Sequence, residues 1–89
     1  MKRSRDDIIS TILTICQGRG ANKTLVVYTA NLNFRTVSPY LDLLIENELL
    51  EVRKNGRERY FTTEKGERAL EALKQIEDMV AVDRGLPNS

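Results

Sequence analysis

The side chains in this sequence that are able to do chemistry are almost all cations. Arg53, Lys54, Arg57 and Arg59 crowd around Asn55-Gly56 with only Glu58 among them. Ammonium and guanidinium groups held this close repel one another unless a polyanion lies against them, and phosphate oxygens suit such a cluster. A bland alternative is that charge on an exposed strand edge discourages aggregation. Catalytic chemistry finds little to use. With no His, a single Cys at position 16 and no paired carboxylates in a plausible cleft, neither a metal site nor a nucleophile–base pair can be assembled. No enzymatic activity, cofactor or small-molecule ligand is therefore expected. Cys16 falls on an apolar helical stripe and reads as a small buried hydrophobe. The stretch from Gly18 to Thr24 superficially resembles a phosphate-binding loop, but Asn22 stands where Gly must precede the Lys, and a helix rather than a strand leads into it.

Net charge is only +1, so bulk basicity gives no pointer to nucleic acid; its distribution does. Residues 1–41 carry six basic side chains, Lys2, Arg3, Arg5, Arg19, Lys23 and Arg35, against Asp6 and Asp7. Residues 42–51 are wholly acidic in their charged groups, with Asp42, Glu46, Glu48 and Glu51, and are expected to face away from any polyanion. At 89 residues the chain suits one domain, with no room for a second core. The opening MKRSRDD lacks the apolar segment of a signal peptide, no run reaches the ~18 apolar residues that span a bilayer, and a lone cysteine agrees with a reducing compartment. A cytoplasmic protein without membrane contact is expected.

These residues need elements to position them. Ser4 and the carboxylates behind it predict a helix from about Arg5, with Ile8, Ile9, Ile12, Leu13, Ile15 and Cys16 on its core face and Gly18 as its stop. Asn22 predicts the cap of a short helix from Lys23 to Ala30. Asn31-Leu32-Asn33 reads as a turn, and a third helix begins at Phe34 with Phe34, Val37, Leu41, Leu44 and Ile45 on one face. Leu49 to Lys54 and Arg57 to Thr62 read as strands joined at Asn-Gly, a turn whose two central residues both favour positive φ. A two-residue loop would set Val52 opposite Arg59; a three-residue loop with a bulge would set it opposite Tyr60. Thr63 caps a fourth helix, in which Gly66 leaves space for close backbone packing. Its stripe of Ala69, Leu70, Ala72, Leu73, Ile76, Met79, Val80 and Val82 is wider than one coiled-coil seam. One side can pack on its own domain and the other on a second chain.

The expected fold is thus mainly α with a β-hairpin: a winged helix-turn-helix over residues 1–63, a C-terminal helix over 64–82 and a flexible tail over 83–89. Asn22-Lys23-Thr24, the run from Tyr28 to Phe34, Tyr40-Leu41, Leu49-Leu50, Gly56, Tyr60 and Thr63-Glu64-Lys65-Gly66 resemble the archaeal winged-helix proteins that include small chromatin-associated and transcriptional DNA binders. That resemblance implies double-stranded DNA as partner and, in its chromatin-associated members, a homodimer through an antiparallel coiled coil of C-terminal helices.

Candidate contacts follow from both lines. With Val37, Leu41 and Leu44 inward, Arg35, Thr36, Ser38, Pro39 and Asp42 point outward. Pro39 removes the bond to the Arg35 carbonyl and bends the axis. Tyr40 suits either half-buried packing or a phosphate contact. Arg53, Lys54, Arg57 and Arg59 on the wing, with Lys23 and the basic residues of the first helix, would bind phosphates. Ala69, Ala72, Leu73, Ile76, Met79 and Val80 are the candidate dimer residues. A winged helix used only for protein contacts within a transcription assembly is the competing expectation.

Overall fold

A computed structural model of the chain describes residues 4–83, with side chains described as far as residue 79. Lys2, Arg3 and the tail beyond Asp83 lie outside the described residues, as do the side chains of Val80 and Val82. The described helices are α1 (Arg5–Ile15), α2 (Lys23–Ala30), α3 (Phe34–Glu46) and α4 (Glu64–Asp83), with strands β1 (Leu50–Asn55) and β2 (Arg57–Thr62) between α3 and α4. All of these helices begin on a side-chain oxygen that accepts the backbone N–H three residues on. Ser4 takes the N–H of Asp7 at 3.1 Å, Asn22 that of Leu25 at 2.8 Å, Asn33 that of Thr36 at 2.8 Å and Thr63 that of Gly66 at 2.9 Å. The polar residues that interrupt the apolar pattern therefore fix where each helix starts.

The helix-turn-helix is closed by left-handed caps. Asn31, at φ 56°, ends α2 so that Leu32 N–H reaches the Val27 carbonyl at 3.0 Å. Glu48, at φ 62°, ends α3 in the same way, with Leu49 N–H on the Leu44 carbonyl at 2.8 Å. Asn tolerates this conformation, whereas Glu adopts it at some cost. Two bonds from Thr63 brace the second corner: its hydroxyl donates to the Glu48 carbonyl at 2.7 Å and its N–H to the Leu49 carbonyl at 3.1 Å.

β1 and β2 pair antiparallel with Val52 opposite Tyr60 and Lys54 opposite Glu58. This is the register of the three-residue loop. Only Gly56 takes positive φ, at 86°, and Asn55 does not, so the expected turn with both central residues at positive φ is not formed. Side-chain burial explains the choice. In this register Leu50, Val52, Tyr60 and Thr62 share the face toward the helices; a slip by one residue would turn Arg59 and Phe61 inward instead.

A third rung, absent from the sequence reading, completes the sheet. Ala21 exchanges both backbone bonds with Tyr60, at 2.9 and 2.7 Å, making the α1–α2 link a one-residue strand beside β2. The core then consists of Ile8, Ile12, Leu13 and Cys16 from α1, Ala21, Val26 and Val27, Val37, Leu41 and Leu44 from α3, Leu50, Tyr60 and Leu70. Phe34 is not among them. It was expected on the core face of α3, yet 49% of its surface is exposed, because as the first residue of α3 it lies at the helix-turn-helix corner, against a hollow lined by Val27, Tyr28 and Leu32, and not over the core. The α4 stripe also divides. Leu70 is buried and Ala69 packs against the core, but Ala72 and every described residue from Lys74 to Met79 are exposed, so the stripe is not consumed within the chain. The molecule measures 48 × 27 × 20 Å as a result of α4 outrunning its domain.

Gly66 is where α4 meets the rest most tightly. A Cβ there would collide with the Leu49 carbonyl oxygen, a rigid backbone atom already fixed by Thr63, and would lie 2.8 Å from the Thr62 methyl. Despite the better helix propensity of alanine, Gly66→Ala is expected to cost about 2 kcal/mol of unfolding free energy through overpacking, measurable by urea titration. Gly56→Ala meets nothing within 4 Å and bears only the strain of its positive φ.

Candidate nucleic-acid interface

The basic residues predicted from sequence divide into free and committed groups. On α3, Arg35, Pro39, Asp42 and Glu46 are exposed, while Thr36, Ser38 and Tyr40 are half-buried. Arg35 meets no partner among the described residues. Tyr40 lines a shallow hollow with Pro39, Leu43 and Arg5 of α1, which places it between packing and solvent. Lys23, half-buried, stands at the start of α2.

On the hairpin, Arg53, Arg57 and Arg59 share the outward face with Glu51 and Phe61, while Lys54 sits on the opposite face with Glu58. Arg53 is paired with Glu51 at 2.6 Å and lies over the Phe61 ring at 4.1 Å. Lys54 approaches Glu58 at 3.7 Å. Both ion pairs are exposed, so they would exchange readily for phosphate contacts. Arg59 differs. Its Nε donates to the Arg19 carbonyl at 2.7 Å and its Nη2 to the Gly20 carbonyl at 3.1 Å, binding β2 to the α1–α2 link. Expected beside the other wing cations, it has two of its donors turned inward. Arg57, at the tip, is exposed and without a partner among the described residues.

Acidic groups come closer to this surface than the sequence suggested. Asp42, expected on the outward face of α3 yet grouped with the acidic residues turned away from a polyanion, lies one helical turn beyond Pro39 on the same outward face as Arg35, and its charge reaches the Tyr60 hydroxyl. That hydroxyl donates to Glu58 Oε2 at 3.2 Å. Burial, then the charge of Glu58 and its hydrogen bond, raise the Tyr60 pKa above its ordinary 10.0. Negative charge therefore lies along the far half of α3 and, at Glu58, on the rung next to the hairpin tip, while Arg35 at the start of α3 and Arg57 at the tip meet no partner among the described residues.

Sequence reasoning missed two aromatics here. Tyr28 is 80% exposed at the end of α2, and with Phe34, Val27, Leu32, Asn31 and Asn33 it lines a hollow of about 370 Å³ at the helix-turn-helix corner. The available signal was the position of Phe34 next to the helix cap, where the chain has not yet covered its own core. Among the described residues no group of His, Cys, Asp and Glu side chains could hold a metal, and no helix is long and apolar enough to cross a membrane.

A hairpin beside a helix-turn-helix, with cations at the helix start and the hairpin tip, defines a winged-helix protein. The profile of the winged helix-turn-helix family matches residues 2–81, and the chain belongs to that family. An uncharacterized protein of Methanocaldococcus jannaschii is 35% identical over 75 residues, covering 84% of this chain and 74% of that one. A second from the same organism is 32% identical over 84 residues; the chain matches it over 94% of its own length but spans only 38% of that longer protein. Among solved structures, Sso10a-2, a DNA-binding protein from Sulfolobus solfataricus, superposes with a TM-score of 0.77 at 26% identity, over 98% of this chain and 100% of that one.

The joint between the wing and the helices carries a pH signature. Cys16 has no exposed surface, and burial raises its pKa from 9.0 to about 11, partly offset by the nearby Arg59 charge. A raised pKa means that the unfolded chain loses the proton first, so this contribution is intact below pH 9 and is lost as pH climbs toward 11, with Tyr60 acting in the same direction. Unfolding free energy measured by urea titration should fall across that window, and Cys16→Ala should flatten part of the fall.

Proposed function

We propose that the chain binds duplex DNA as a homodimer, with α3 directed at the major groove and the wing along the adjoining phosphates. The observation that carries this reading is the pair of guanidiniums without a partner among the described residues, Arg35 at the start of α3 and Arg57 at the hairpin tip, on the two elements by which winged helices approach DNA. Membership of the family and the DNA-binding description of Sso10a-2 support it. Lys23 adds a phosphate contact at the start of α2, and Arg53 and Lys54 add theirs once their surface ion pairs with Glu51 and Glu58 open. Arg59 acts as a positioning residue for the wing, and Thr36, Ser38, Pro39 and Tyr40 line the approach. A single free arginine on α3 fits a protein that sets position and affinity more than sequence choice, whether as a regulator or as a small chromatin protein.

Residues 64–82 form the dimerisation helix in this reading. Ala69, Ala72, Ile76 and Met79 follow the alternating three- and four-residue steps of a coiled-coil seam, flanked by Leu73 and Val80, and Ile76 and Met79 stand 56% and 66% exposed in the single chain. Covering each would contribute on the order of 1 kcal/mol or more per subunit.

One observation favours a second reading, a winged helix that contacts protein. Three of the four wing cations are already engaged, with Glu51, Glu58 and the backbone carbonyls. Salt dependence separates the two, since phosphate neutralisation makes log affinity fall steeply with log salt.

In mobility-shift titrations at two salt concentrations, Arg57→Ala is expected to weaken binding by a similar factor on random and selected duplexes and to lower the salt slope by about 1. Absence of any shift at low salt refutes DNA binding. Ile76→Asp should convert a dimer to monomers by light scattering, and a wild type that is already monomeric at micromolar concentration removes the dimer.

A further inference from the structure

The exposed hollow at the helix-turn-helix corner is unexplained by packing. Phe34 and Tyr28 form its rims, its floor is Val27 and Leu32, and its polar edge is Asn33. Leaving a phenyl ring half in water costs free energy that a solvent-facing polar residue would avoid, so something else must be gained from it. Three observations indicate what covers it. First, the hollow lies at the start of α3, the helix proposed to face DNA: Phe34 is the first residue of α3 and immediately precedes Arg35, and Asn33 caps that helix. Second, the sequence from Ile8 to Leu41 contains no Asp or Glu, and its charged groups are Arg19, Lys23 and Arg35 alone. The hollow's lining likewise carries no carboxylate, which suits a polyanion that itself presents an apolar group. Third, Asn33 has its Oδ1 committed to the Thr36 N–H, which leaves the Nδ2 donor as what it offers outward.

Of the base edges in the major groove, thymine presents this combination: a 5-methyl group beside the O4 acceptor. We infer that the Tyr28–Phe34 hollow takes thymine methyl groups, with Asn33 Nδ2–H directed at O4, and that it supplies what sequence preference the protein has. The inference rests on the DNA-binding reading above and adds a base class to it. Arg35 and the wing set the strength of binding; the hollow favours thymine-containing steps. The aromatic rims act through contact area alone, so the preference is for the methyl group and is independent of salt.

The test is a comparison of affinities for an A·T-rich duplex and for its twin carrying deoxyuridine at every thymine, which removes only the methyl groups. The expected result is at least about fourfold weaker binding to the uracil duplex, the factor for one buried methyl-sized group, with the same salt slope on both. Phe34→Ala should bring the ratio to about 1 while retaining that slope, and Tyr28→Ala should reduce it. Should Phe34→Ala disturb folding, a wild-type series with 5-methylcytosine in place of cytosine in a G·C-rich duplex restores the methyl at the equivalent ring position and should tighten binding. Equal affinity for the thymine and uracil duplexes, with binding otherwise salt-dependent, overturns the methyl reading and leaves DNA binding standing. Binding to neither duplex overturns both. If Phe34→Ala alters the oligomeric state and leaves the thymine-to-uracil ratio unchanged, the hollow is a protein contact and the inference fails.

Discussion

The reciprocal pairing of Ala21 with Tyr60 is the constraint on which the rest of this molecule depends. Those two bonds attach the hairpin to the link between α1 and α2, and so decide where a protruding ribbon stands relative to the helix-turn-helix. The surroundings reinforce it. Gly20, at φ 71°, passes so close to the Tyr60 carbonyl and the Phe61 ring that a side chain could not fit, and Arg59 closes over the carbonyls of residues 19 and 20. Thr62 continues the seam, donating its N–H to the Cys16 carbonyl at 3.0 Å and its hydroxyl to the Leu13 carbonyl at 2.7 Å. β2 thus satisfies carbonyls at the C-terminal end of α1 that the helix itself leaves open. The seam thereby ties Tyr60 to the link after α1 and Thr62 to the Leu13 and Cys16 carbonyls, all beside the core.

Once the wing is anchored, its charges separate into two kinds. Arg59 is spent on the fold, Arg53 and Lys54 are held in exposed pairs that a competing phosphate can open, and Arg57 has no partner among the described residues. The carboxylates matter as much. Asp42 lies two helical turns along α3 from Arg35 and Glu58 one rung from the hairpin tip, so carboxylates are interspersed with the cations of this surface. A polyanion approaching such a surface is attracted at the start of α3 and the tip of the hairpin, and a near-neutral net charge is no obstacle because the field is local.

α4 serves two ends with one helix. Its first turns are fixed by Thr63, by the close approach at Gly66 and by Leu70, and beyond Leu73 it extends clear of the domain with Ile76 and Met79 uncovered. An apolar stripe that continues past its own core is the physical basis of the proposed pairing with a second chain, and the rigidity of that stem would set the spacing between two DNA-facing surfaces.

The elements of this fold were written locally. Ser4, Asn22, Asn33 and Thr63 cap helices because their oxygens reach an N–H three residues away, and no distant contact is needed for that; the helix-turn-helix and the hairpin follow from such short-range signals. The hairpin register was not local, since Asn-Gly permits more than one loop, and the choice fell to which residues the helices could bury, Tyr60 or Arg59. The one-residue strand at Ala21 had no local signature at all, because its partner lies 39 residues away. For the same reason the roles of the cations could not be read in advance. Arg57 and Arg59 are neighbours but one in sequence and chemically identical, yet one faces solvent and the other holds two backbone carbonyls, as the fold alone brings residues 19 and 20 beneath it. Phe34 makes the converse point: helical periodicity placed it on an apolar face, and only the tertiary structure decided that this face ends before it is covered. Residue types and spacing determined the kind of domain and the chemistry it could offer; the packing of distant segments decided which of those groups remained available.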